Sequence, residues 1–120
     1  MNEQFRGNQT ESGFGQNADN LTIYTKLDIP NDIPDNSFIS SLNVGIRKQG
    51  APTDNYVLTV YDEADLNTAI FSISKGGADL TTTNTKTLLG TNIPVQAGHT
   101  YRFVFSRSSG TADGTNYYVL

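Results

Sequence analysis

The chain has no cysteine and no tryptophan, and only one histidine among its 120 residues. Without cysteine there is no disulfide and no thiolate metal site, and the redox compartment leaves no trace. A single histidine rules out the usual imidazole clusters around zinc. Long apolar runs are also missing. No segment is apolar for long enough to span a bilayer, and the opening "MNEQFRGNQTESGFG" lacks a signal-peptide core, so the expectation is a soluble chain with no membrane insertion and no secretory export. Charge is sparse as well, at 17% of residues, with 8 Lys and Arg against 12 Asp and Glu. The resulting net charge of −4 repels phosphate backbones and argues against a nucleic-acid partner. Arg47, Lys48 and Arg107 are too separated to form a basic stripe.

What fills the chain instead is Thr, Asn, Ser and Gly between short alternating segments, a mixture poor for helices and suited to strands and turns. In "LTIYTKLDI", Leu21, Ile23, Leu27 and Ile29 share one face, with Thr22, Lys26 and Asp28 on the other and Tyr24 among the polar set. "FISSLNVGIRK" places Phe38, Leu42, Val44 and Ile46 on one parity. "YVLTVYDE", "TAIFSIS", "KTLLGTNIPV", "TYRFVFSR" and "NYYVL" follow, separated by turn signals rich in Gly, Pro, Asn and Asp. The pattern predicts an all-β fold, an antiparallel jelly-roll-like β-sandwich of about seven to eight strands over residues 21–120. Residues 1–20, half of them Asn, Gln or Gly, read as a flexible N-terminal arm. That arm is either a frayed terminus or an extended segment that orders against a neighbouring subunit through Phe5 and Phe14.

His99 is followed directly by a strand whose core face is Tyr101, Phe103 and Phe105, and it shares their parity. No G-x-S-x-G elbow accompanies it, so it reads as a cap on the core face and the chain as non-catalytic. Tyr24, Tyr56, Tyr61 and Tyr117 are the candidate glycan contacts, since a tyrosine ring stacks on a pyranose while its hydroxyl bonds to a sugar oxygen. Tyr117 and Tyr118 are adjacent, which puts one in the core and the other outside. Asp62, Asp65 and Asn67 in "YDEADLN" offer close-spaced oxygen ligands for calcium, without the regular spacing of a calcium loop. No other cofactor is expected.

"IPVQAGHTYRFVF" resembles the closing signature of a broad group of bacterial and phage β-sandwich modules, and "SLNVGIRKQGAPTDNYVLTVYDE" resembles their earlier hairpin. With the final "YYV", the resemblance covers residues 21–120 and is to modules of tail fibres, receptor-binding and virion surface proteins, and to carbohydrate-binding-like adhesin domains. It implies a structural role in capsid decoration or tail attachment, with homo-oligomeric or other virion partners and a surface glycan as ligand. The missing tryptophan is a departure, since any aromatic platform must then be built from tyrosine. An extracellular type of module without an export signal fits a virion surface released by lysis. The alternative is a free-standing extracellular carbohydrate-binding or adhesin module.

Overall fold

The computed structural model describes residues 3–5, as backbone, and 13–120. Nine strands run in chain order: β1 (Glu3–Phe5), β2 (Gly13–Phe14), β3 (Thr22–Asp28), β4 (Ser37–Gln49), β5 (Asn55–Asp62), β6 (Asp65–Gly76), β7 (Thr85–Val95), β8 (Thr100–Arg107) and β9 (Tyr117–Val119). Two single-turn 3-10 helices, Ala18–Asn20 and Gly77–Asp79, complete the described elements, and there is no α-helix among them.

The pairings are nested. β5 pairs with β6, β4 with β7, β3 with β8 and β2 with β9, all antiparallel. Rolling this nested ribbon brings β8 beside β5 and β9 beside β4. The result is two four-stranded antiparallel sheets, β3-β8-β5-β6 and β2-β9-β4-β7, in the jelly-roll order, with β1 added parallel at the β3 edge. The expected sandwich is therefore present.

The core lies between the sheets. Ile23, Leu58, Val60, Phe103 and Phe105 face inward from one sheet, and Phe14, Ile46, Leu89, Ile93 and Tyr118 from the other. Phe14 stacks on Tyr118 within one sheet with centroids 5.8 Å apart, and rings bridge to the other sheet, Phe105 lying 6.1 Å from Phe14 and Tyr56 5.3 Å from Tyr118.

Two expectations need correction. Residues 13–20 are part of the sandwich and not of an arm, because Phe14 is fully buried and Asn20 ties the segment together. The Asn20 side chain accepts from the amides of Gln16 and Asn17 and donates to the Gly13 carbonyl, so the polar residues that suggested disorder satisfy the backbone instead. Phe14 is then a core residue of its own chain and no anchor for a neighbour. Phe5 lies on β1; its assembly role and the remainder of the arm, residues 1–2 and 6–12, fall outside the described residues. Phe38 is also misplaced by simple alternation, being 57% exposed. Ile39 and Leu42, three apart, both pack against the core, so the inward parity changes between them. Of the two β7 residues between their partners, Thr91 and Asn92, the second has φ 54°, and the ladder shifts register at Leu42/Asn43.

One end of the sandwich is closed by Arg107, whose side chain is 6% exposed. Its Nη2 donates to Asp54 Oδ1 at 2.6 Å, and its Nη1 donates to the carbonyls of Asn116 at 2.6 Å and Gly15 at 3.1 Å. The Tyr118 hydroxyl adds a bond to the Asp54 carbonyl. One guanidinium thus joins the segments after β2, before β5 and before β9. Gly15 has φ 71°, and a Cβ there would lie 2.0 Å from Arg107 Cδ, so only glycine lets the chain pass.

Tyr56 is 1% exposed, and its hydroxyl has no hydrogen-bond partner among the described residues. A buried unsatisfied hydroxyl costs about 1–3 kcal/mol, so Tyr56→Phe is expected to raise stability by about 1 kcal/mol in urea denaturation. A loss of stability instead would reveal a partner for the phenol.

Candidate ligand-binding face

The outer face of β3, β8 and β5 carries the side chains left over after the core parity is assigned. Register places Lys26, Arg102 and Tyr61 in one cross-strand row, and Tyr24, Val104 and Thr59 in the next. Tyr24 and Tyr61 therefore flank β8 on one surface. Beside Tyr61 is a groove of about 450 Å³ lined by Thr22, Thr59, Tyr61, Leu66, Arg102, Val104 and Ser106.

Arg102 is fixed from two sides. Its Nε and Nη2 donate to the two carboxylate oxygens of Glu63 at 2.8 and 3.2 Å, and its guanidinium carbon sits 4.3 Å from the Tyr24 ring centroid. The bidentate fork and the ring face together hold the guanidinium in one orientation. Lys26 Nζ completes the cluster at 2.8 Å from Glu63 Oε1. Burial alone would raise the Glu63 carboxyl, but hydrogen bonds and charge from Arg102 and Lys26 hold it below its ordinary value. Two basic side chains and one carboxylate meet in this cluster, and Asp28, on the same parity of β3, adds a second carboxylate to the face.

His99 lies at the entrance to β8, stacked on Tyr101 at 6.3 Å, as its parity implied. Its Nδ1 is 2.6 Å from Asp62 Oδ2. Burial acts to raise the Asp62 carboxyl, but the Ala64 amide and His99 outweigh it and leave it lowered. This is a base with an orienting carboxylate, yet among the described residues no serine or threonine hydroxyl bonds to the imidazole, and a nucleophile would be required for acyl-transfer chemistry.

Of the four sequence-selected tyrosines, Tyr24 and Tyr61 are brought together. Tyr56 is withdrawn as a glycan contact because it lies in the core, on the parity of Leu58 and Val60. Tyr117 is half-buried on β9, in the opposite sheet, while its neighbour Tyr118 is fully buried. The calcium set does not assemble either. Asp62 is engaged by Ala64 and His99, Asp65 accepts the amide of Asn67 in a local turn, and among the described residues no three His, Asp or Glu side chains converge as a metal site. The residues that sequence reasoning missed are Arg102, Glu63 and Lys26. Their outward parity was legible, but their convergence depends on the β3-β8-β5 register.

No family model matches the chain, and no curated protein matches it. Among solved structures it is similar to the pre-peptidase C-terminal domain of a collagenase from Bacillus anthracis, at 12% sequence identity and a TM-score of 0.44, over 98% of this chain and 90% of that one. The likeness assigns no residue here.

Proposed function

We propose that the chain is a non-catalytic attachment module of a virion surface, in a tail, fibre or capsid decoration, that holds a surface glycan on the outer face of β3, β8 and β5. One observation carries this reading: Tyr24 and Tyr61 share that face across a guanidinium immobilised by Glu63. Tyrosine rings offer stacking surface to a pyranose, while Arg102 and the hydroxyls of Thr22, Thr59 and Ser106 supply orienting polar groups in the same groove. The virion setting rests on the resemblance of residues 21–120 to phage surface modules, and it brings homo-oligomeric or other virion partners with it.

The test is binding of the purified chain to a glycan array and to intact bacterial cells. Tyr61→Ala is expected to weaken retention roughly tenfold with an unchanged circular dichroism spectrum, the usual effect of losing a stacking anchor. Retention of Tyr61→Ala equal to that of the parent would sink the assignment of this face. Turnover of a bound polysaccharide that vanishes in His99→Ala would overturn the non-catalytic reading.

A further inference from the structure

We propose that the end of the sandwich opposite Arg107 holds a second ligand pocket, one that takes a neutral or amine-bearing pyranose and rejects anionic sugars. A cavity of about 760 Å³ opens there between the approach to β4, the end of β5 and the β7–β8 connection. This volume falls within the range of about 300–1,000 Å³ typical of small-molecule sites. Its polar lining is dominated by amides and carboxylates: Asn36, Asn92 and Gln96 with Asp35 and Asp62. Amide and carboxylate groups can bracket vicinal hydroxyls, the amides donating and accepting and the carboxylates accepting only.

An apolar platform stands beside them. Phe38 is 57% exposed on β4, cross-strand from the exposed Pro94, and both line the cavity. A ring so placed offers the flat surface on which the C–H face of a pyranose packs. Asn36 and Asn92, at φ 62° and 54°, are the only non-glycine residues with positive φ among those described, and both lie in this wall.

The sign of charge sets the ligand class. Neither lysine nor arginine lines the cavity, whereas Asp35 and Asp62 do, and Asp35 accepts no hydrogen bond from the described residues. A uronate or sialate carboxylate would meet like charge here, and a neutral hydroxyl or an ammonium would not. The pocket is distinct from the outer face, whose groove shares none of these residues.

The experiment is an amide-resolved NMR titration of the full chain with methyl glycosides of glucose, galactose, mannose, glucosamine and glucuronic acid. Shifts at Asn36, Phe38, Asn92 and Gln96 read this pocket, and shifts at Thr59 and Tyr61 read the outer face, so the two proposals fail independently. The expected result is perturbation of the first set by the glucosaminide or a neutral glycoside, with the glucuronide at least roughly tenfold weaker. Phe38→Ala should weaken that binding roughly tenfold, and Asp35→Asn should narrow the discrimination against glucuronide. Absence of shifts at the first set with every probe, equal binding of the glucuronide, or an unaffected Phe38→Ala variant overturns the proposal.

Discussion

Arg107→Met is expected to lower the unfolding free energy by about 3–5 kcal/mol at neutral pH, the usual result of removing one partner from a buried ion pair. The side chains of Arg107 and Asp54 are only 6% and 12% exposed, so the loss leaves a carboxylate without its cation and the carbonyls of Gly15 and Asn116 without a donor. The pH dependence distinguishes this cause from lost packing. In the parent chain, burial acts to raise Asp54, but the hydrogen bonds from Arg107 and Ser109 and the charge of Arg107 leave its carboxyl below its ordinary value. A depressed carboxyl stabilises the fold above its unfolded value of about 3.9, and that contribution fades as pH falls through the lower folded value. In the variant, only the hydrogen bonds from Ser109 still oppose burial, so the carboxyl rises relative to the parent, and acid protonates it and relieves the penalty. The difference between parent and variant should therefore be large at pH 7 and shrink towards pH 3 in urea denaturation. A constant difference would show that packing, and not the ion pair, is what was lost.

Phe103→Ala should cost about 3–5 kcal/mol, the range for deleting a buried phenylalanine. Phe103 is 4% exposed at the middle of β8, between Thr25 of β3 and Val60 of β5, so the strands around it cannot collapse into the void without breaking the ladder. His99→Ala, on the same strand parity, should cost no more than about 1 kcal/mol. Its side chain is 37% exposed, and its contact with Asp62 is open to solvent. Thermal melts of the two variants side by side give the comparison. Similar losses would mean that His99 supports the core far more than its exposure implies.

The strands that alternate without interruption were legible from residues alone. β8 put Tyr101, Phe103 and Phe105 inward, and β3 put Tyr24 and Lys26 outward. Phe38 was illegible because the parity change near Asn92 is a property of the ladder, invisible in a single strand. Phe14 was missed for a different reason: β2 is two residues long, too short for any period to register. The parity that Tyr56 shares with Leu58 and Val60 did carry the signal that withdraws it from the surface. The partnerships of Asp62 with His99 and of Glu63 with Arg102 join residues 37 and 39 apart, and only the pairing of β5 with β8 brings them together.

The nested pairing has a consequence during synthesis. The β5–β6 hairpin can close as soon as it leaves the ribosome, but Gly13 and Phe14 find their partners only in Val119 and Tyr118, in the last described strand. Non-local pairing of this kind slows folding, and chains emerge from their N-terminal end. Phe14, fully buried in the finished domain, must therefore wait exposed while nearly the whole sandwich is made. A nascent chain halted after Asn116 would hold β1 to β8 without the strand that lies between β2 and β4. Stalled or truncated products should then be bound by chaperones, and the domain should become protease-resistant only after Val119 has cleared the exit tunnel.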